Sequence, residues 1–378
     1  MTETALPAPA GVGEEPAASP PRLSAAADTL LRSIGPVAAA LVAGGILLLA
    51  LGRNPLAFYV DILRGGLLDG FWQESVIRMA PLLLIAAGLI VIFKAGIWNL
   101  GIDGQLLLAA TLVVGLGPGL EKRAPNTVTL LVLFLLAAAV AGAWTLVPAL
   151  LKASYGLNEI ITTLMMTFIG INVANILIKG PFQDFSSNVP QTGVLPFDAM
   201  LPTLPGTRIH VGILVAVAAI LVVWYLMTWT SFGLRLQILG ASVRSAKHLG
   251  LNVPRLIIVS FALSGALMGL AGAAEFLGVW GYIRADQNPA FGLEVVPLVF
   301  LARLNALAVV PFVGFFAVLS IGGDLATREA GLPNDFILVL VGLILLFMAV
   351  TEWLGRNRAL GQSYLSGGLK PARRRAHQ

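Results

Sequence analysis

Ten stretches of the chain are strongly apolar: 34–51, 79–93, 106–116, 128–151, 160–178, 211–229, 256–277, 295–301, 306–321 and 336–350. A helix needs about 20 apolar residues to cross the hydrocarbon core of a bilayer. Several of these stretches are shorter than that. The second and third are separated only by a polar, glycine-bearing run at 94–105, and the eighth is very short and ends near Arg303. Short and broken helices occur where they line a protein cavity and are disallowed facing lipid. The pattern predicts an all-α, polytopic transmembrane helical bundle of about ten helices, some short or broken.

Composition supports lipid as the solvent. Charged residues are 11% of the chain and hydrophobic residues 57%, whereas a soluble domain is about 25% charged. The net charge of +5 would suggest nucleic acid in a soluble protein. Here the basic residues lie between apolar spans and in the last two dozen residues, a pattern of topology and anionic headgroups rather than nucleic acid. With the N-terminus placed inside and ten alternating spans, most Lys and Arg fall inside, Arg235, Arg244, Lys247 and Arg255 among them. Acids such as Glu275, Asp286, Glu294 and Asp324 fall on or near the other side. Both termini are therefore expected in the cytoplasm. Residues 1–30 read as a disordered cytoplasmic tail, 31–354 as the transmembrane domain and 355–378 as a basic cytoplasmic tail. The opening segment lacks the three regions of a signal peptide.

Two connections are long. The one at 179–208 holds Pro181, Pro190, Pro196, Pro202 and Pro205 and reads as an extended surface loop outside. The one at 230–254 lies inside and contains a short amphipathic stretch at 241–251.

Candidate chemistry is sparse. There is no cysteine, so disulfides and thiol catalysis are excluded. The three histidines are far apart, and no HExxH, GxSxG or phosphate-loop motif is present. The chain therefore cannot hydrolyse ATP in the phosphate-loop manner by itself.

The run KAGIWNLGIDGQ at 94–105 places Asn99, Asp103 and Gln105 among three glycines. A carboxylate at membrane depth costs about 2.5–3.5 kcal/mol on insertion scales and suggests function. The alternative is an ordinary helix–helix turn at the membrane surface. Further on, Asn172 and Asn175 share a helix face with Met165 and Phe168. Amides beside an aromatic ring suit a planar, hydrogen-bonding solute, and equally suit interhelical packing. Asn158 and Glu159 fit a helix N-terminus. Gly265, Gly269 and Gly272 allow a tight helix crossing. Glu275 follows near the outer end, where it either faces water or lines the mouth of a pathway.

Three segments carry a family likeness: FKAGIWNLGIDGQ at 93–105, LNEIITTLMMTF at 157–168, and GASVRSAKHLGLNV at 240–253 running into SGALMGLAGAAEFLG at 264–278. The chain resembles the permease family of bacterial ABC importers for nucleosides, simple sugars and branched-chain amino acids, with the nucleoside branch the best match. The likeness spans residues 55–350. It implies a non-enzymatic translocation subunit in the bacterial plasma (inner) membrane, importing nucleosides. A simple sugar such as ribose, another small solute, and an ion-driven secondary transporter remain as alternatives. It implies a coupling loop formed by Gly240, Ser242, Arg244, Ala246, Lys247 and Gly250. The expected partners are a cytoplasmic ABC ATPase that carries ATP and Mg, a second permease subunit, an extracytoplasmic solute-binding protein and membrane lipid. No cofactor is expected on this chain. Two departures stand out: Asp103 replaces the usual Glu before Gly104, and Asn305-Ala-Leu-Ala308 replaces an Asn-Pro-Leu-Gly run.

Overall fold

The computed structural model describes residues 25–351, apart from positions 69, 334, 335, 341, 344, 345, 348 and 349, with side-chain burial described from residue 35. The N-terminal tail before residue 25 and the basic tail at 355–378 lie outside the described residues. The helices, in order, are α1 (Ala25–Ala50), α2 (Pro55–Leu67), α3 (Trp72–Lys94), α4 (Ile102–Glu121), α5 (Asn126–Trp144), α6 (Leu146–Tyr155), α7 (Glu159–Lys179), α8 (Gly212–Trp229), α9 (Ser231–Ala241), α10 (Val243–His248), α11 (Val253–Glu275), α12 (Phe291–Leu301) and α13 (Val309–Glu329). A π-helical turn, Phe276–Trp280, continues α11. Helical positions recur from Phe336 to Thr351. The all-helical membrane bundle expected from the pattern is what the chain forms.

Seven helical units among the described residues are long and apolar enough to cross a membrane: α3, α4, α5 joined to α6, α7, α8, α11 with its π turn, and α13. The first apolar stretch turns out to be half of a pair, because α1 and α2 meet at a bend of 120°. The α2 helix was not visible as an apolar stretch. It starts at Pro55, with Asn54 accepting from Leu56 N and Ala57 N. The eighth stretch becomes α12, whose 11 residues at 1.5 Å each are too few to span a bilayer.

The most enclosed helix is α3. From Ala80 to Phe93 every side chain is buried. A helix that is apolar all round belongs in a protein interior rather than against lipid on one side. Helices α8, α11, α12 and α13 surround it. Around this centre, glycines set the closest approaches. A Cβ at Gly269 of α11 would collide with the Ala137 carbonyl of α5, and one at Gly322 of α13 with the Ile62 carbonyl of α2. Helix α7 is the opposite case. Ile161, Met165, Phe168, Ile169 and Ile176 are all exposed, as is Asn172.

The two ends of the bundle differ. At one end the long connection expected to be extended is so. It is strapped to the segment after α11: Thr192 N donates to Ile283 O at 3.0 Å, Leu195 N to Gly281 O at 2.9 Å and Leu201 N to Leu277 O at 3.0 Å. Arg208 N also donates to Gln73 Oε1 at 2.7 Å, tying the loop to the start of α3. At the other end lie α9 and α10. The connection expected as a loop at 230–254 is mostly helical, because α9 takes 231–241, with Gly240 in it, and α10 takes 243–248. The Asn305-Ala-Leu-Ala308 turn at this level holds without the proline. Asn305 Oδ1 accepts from Leu307 N at 3.0 Å and Ala308 N at 3.2 Å, which fixes the turn just before α13.

His210 locks the looped end. Its Nδ1 accepts from Gly212 N at 3.1 Å, and its ring lies against Gly278 of the π turn, where a Cβ would clash. Burial pushes its pKa down from 6.5 to about 4. The unfolded chain takes up this proton near 6.5 and the folded protein only near 4. Between those values the unfolded state holds more protons, so stability is lost as the pH falls through this window. Thermal unfolding of the purified protein should therefore shift to lower temperature between about pH 7 and about pH 5. The His210→Gln variant should show a flatter dependence over the same range; an unchanged slope would contradict this role.

Candidate functional site

The glycine-bearing run between α3 and α4 is an unwound stretch, not a surface turn. Gly96 takes a left-handed φ of 70°, which reverses the chain after α3. Residues 97–101 then run back into the bundle. Gly104, in the first turn of α4, packs on the backbone of Thr167, midway along α7. An unwound backbone at this depth must find partners inside the protein, since each unsatisfied group costs several kcal/mol in hydrocarbon.

The partners are specific. Leu100 N donates to Thr163 Oγ1 at 3.1 Å, and Leu100 O accepts from Thr167 Oγ1 at 3.1 Å. Gly101 N donates to Asn99 Oδ1 at 3.0 Å. The Asn99 and Gln105 amides bond each other in both directions, at 3.2 Å and 2.9 Å, and Asn99 Nδ2 also donates to Ser264 Oγ of α11 at 3.2 Å. Both side chains are buried. Asn99 and Gln105 therefore hold the break closed, with their polar atoms engaged by the protein.

Asp103 does something else. It lies in the first turn of α4, and its Oδ1 accepts from Gly292 N at the start of α12 at 3.0 Å. Residues 282–290 lead from the looped end to α12 without helix, turning at Arg284–Gln287, with Asp286 and Ala290 in left-handed conformations (φ 62° and 55°). Two helices, the full-length α4 and the short α12, thus start beside one carboxylate. Helix N-termini carry partial positive charge and exposed N–H groups, which suits an anion at this point.

A charged cluster adjoins this junction on the side of the looped end. Arg78 of α3 lies 3.7 Å from Glu294 Oε2 of α12, and its guanidinium sits 4.4 Å over the Phe291 ring. Glu275, buried at the end of α11, accepts from Trp280 Nε1 across the π turn at 3.1 Å and lies within Coulomb reach of Arg78. Asp324 of α13 stands near the same guanidinium and is exposed. At the far end of α12, Phe300 stacks on Phe93 at 5.0 Å and lies 5.4 Å from Trp98.

The remaining sequence-derived residues separate into two places. Phe168 and Asn172 lie on the exposed face of α7, with Asn172 Nδ2 donating to Phe168 O at 2.8 Å. Asn175 faces the bundle instead. It bonds Asp286 through Nδ2 at 2.9 Å and accepts from Asp286 N at 2.9 Å, while Lys179 pairs with the same carboxylate at 3.0 Å. Asn175 and Asp286 border a cavity of about 120 Å³ that also touches Arg284 and Asn288. At the other end, Ser242 caps α10 by accepting from Ser245 N, Ala246 is fully buried, and Arg244 and Lys247 are exposed. Gly250 has a φ of 72°. Gly240 rests directly on Lys94 and Gly96, so α9 touches the start of the unwound stretch.

Arg78, Glu294, Asp324 and Ser264 were not singled out from the sequence. The available signal was Arg78, a cation inside what becomes a 23-residue apolar helix; the apolar stretch was started one residue after it. Arg78→Ala should strand Glu294 without its counter-ion. Breaking such a buried pair costs about 3 kcal/mol, to be seen as a marked drop in unfolding temperature in detergent. Arg78→Ala combined with Glu294→Ala should recover part of that loss. Strictly additive losses would contradict the pairing.

Comparison with known proteins agrees with this architecture. The sequence model of the family described as branched-chain amino acid transport system / permease component matches residues 73–349. A glucose ABC transporter permease of Haloferax volcanii is 35% identical over 335 residues, covering 85% of this chain and 87% of that protein. A guanosine ABC transporter permease of Bacillus subtilis is 28% identical over 316 residues, 82% of this chain and 90% of that one. A nucleoside ABC transporter permease of Lactococcus lactis is 25% identical over 319 residues, 81% and 87% respectively. With the match covering most of the chain and the helices placed as described, the protein belongs to the branched-chain amino acid transport system / permease component family of ABC transporters.

Proposed function

We propose that this permease imports nucleosides, driven by a separate ABC ATPase that binds ATP and Mg. The observation that carries the mechanism is the contact between Gly240 of α9 and Gly96. It joins the docking element at one end to the unwound stretch that leads to Asp103. An ATPase seated on α10 would move α9, and α9 would move residues 96–101 and the start of α4. Val243 and Leu249, both exposed beside Arg244 and Lys247, give α10 the mixed apolar and basic surface such docking needs. The two helix starts at Asp103 and Gly292 resemble the broken-helix sites that other transporters place at membrane depth.

The exposed face of α7 supports a second permease subunit. Asn172 stands there among Met165, Phe168 and Ile176, and an amide facing lipid alone would be costly. A partner permease covering this face would place Phe168 and Asn172 on a shared path with the Asp103 junction. Phe168 offers a ring for stacking and Asn172 an amide for a base edge. The strapped loop at the other end would meet a solute-binding protein outside. The chain would then sit in the plasma membrane with both termini in the cytoplasm. A simple sugar is the second reading, favoured by the likeness to the glucose permease. A nucleoside carries a sugar ring too, so the discriminating part is the base.

Uptake of radiolabelled guanosine, uridine, ribose and glucose by cells with and without the gene separates these readings. Loss of nucleoside uptake alone is expected, with unlabelled nucleosides and not sugars competing. Loss of glucose or ribose uptake alone would overturn the nucleoside reading and keep the importer. In the same cells, Arg244→Glu with Leu249→Asp should stop uptake and ATPase co-purification while leaving the permease in the membrane. Uptake that survives this variant would count against α10 as the docking element.

A further inference from the structure

A groove at the docking end is not used by the account above. It has a volume of about 530 Å³ and is bordered by Phe232 and Arg235 of α9, by Gly250 and Asn252, and by Arg255, Leu256 and Val259 of α11. Arg235 and Arg255 are both exposed, and neither forms an ion pair among the described residues. Two cations thus converge on one groove with no anion between them among the described residues.

The depth of the groove can be read from its neighbours. Tyr225 and Trp229, at the end of α8, are exposed and mark the level where aromatic side chains meet the membrane–water boundary. Helix α9 folds back against the end of α8, with Gly233 on the Leu226 and Met227 carbonyls and Gln237 Nε2 donating to Met227 O at 3.1 Å, which keeps Arg235 near that level. From Arg255, Leu256 and Val259 lead along α11 into the span, and Val259 is 39% exposed. The groove therefore has a cationic mouth at headgroup depth and an apolar wall that continues toward the hydrocarbon. A soluble anion would use the first feature and not the second.

We propose that this groove binds the phosphate of an anionic phospholipid, held between the Arg235 and Arg255 guanidinium groups, with an acyl chain along Leu256 and Val259. Arginine suits this role because its planar fork pairs two N–H groups with phosphate oxygens. The lipid would bridge α9 to the start of α11, on either side of the docking helix. This inference rests on the membrane reading of the chain and is independent of the solute.

The test uses the full chain purified in mild detergent and equilibrated with equal amounts of phosphatidylglycerol and phosphatidylcholine, with retained lipid read by native mass spectrometry. The wild type should retain phosphatidylglycerol preferentially. Arg235→Gln with Arg255→Gln should reduce that preference about thirtyfold, since each basic residue near an anionic surface contributes about 1 kcal/mol. Lys122→Gln with Arg123→Gln, an equal charge change at the opposite end, should leave it intact. Val259→Trp keeps both arginines and should also reduce retention, by filling the apolar wall. Undiminished retention in the arginine pair overturns the proposal. So does inorganic phosphate displacing the lipid, which would mark a free-anion site. So does an arginine pair that keeps its lipid and loses the ATPase, which would mark a protein contact. Guanosine or glucose uptake, measured separately, reports on the permease reading and not on this site.

Discussion

The structure depends on one constraint: inside hydrocarbon, a backbone that leaves the helix must have its polar groups satisfied by the protein. Residues 97–101 leave the helix at membrane depth. They persist because Thr163 and Thr167 of α7 bond Leu100 from both sides, and because Asn99 and Gln105 close on each other and on Ser264 of α11. Three helices thus supply what one stretch lacks. The break frees the start of α4, and the start of α4 is what brings Asp103 beside the first turn of α12. Without the amide pair there would be no junction of helix starts and no place for a carboxylate in the interior.

The same economy governs the charged groups. Arg78 would be expensive on a lipid-facing helix. It is held at the inner surface of α3, with Glu294 for charge, Phe291 for a ring face, and Glu275 and Asp324 nearby. Glu275 in turn depends on the π turn that brings Trp280 back to it. π-Helical turns concentrate at functional positions, and this one also presents Gly278 to the His210 ring. The looped end, the charged cluster and the Asp103 junction therefore adjoin one another along the bundle. The end formed by α9 and α10 reaches the same junction from the opposite side, through Gly240 and Gly96.

Much of this was legible in the sequence. Apolar stretches of sufficient length marked the spans, and the gap at 94–105 marked a break because three glycines and three polar residues cannot continue an apolar helix unaided. The helix start at Asn158 followed from a side chain that accepts from the first turn; the starts at Ser242 and Asn252, capped in the same way, lay inside what read as a loop. The roles within the break were not legible. Asn99, Asp103 and Gln105 looked equivalent, and only the positions of Ser264 and Gly292, distant in sequence, separate two structural amides from one carboxylate at a junction. Asn172 and Asn175 likewise looked like a pair. Three residues of helix leave them only about 60° apart, yet the neighbours at each position differ: exposed apolar residues for one, Asp286 and Lys179 for the other. Glu294 and Asp324 read as outside acids because their helices were placed by apolar length alone, and α12 is too short to follow that rule.

The central claim is that the Asp103 junction belongs to the solute path. The chain contains no cysteine, so a single thiol introduced as Asp103→Cys reports on this position alone. Labelling with a membrane-impermeant thiol reagent, in vesicles that hold the permease and its ATPase, is the direct measurement. The account predicts that the thiol reacts from one face of the membrane, that ATP changes which face, and that guanosine slows the reaction. A thiol that reacts from neither face with or without ATP, or at a rate no solute alters, would contradict it.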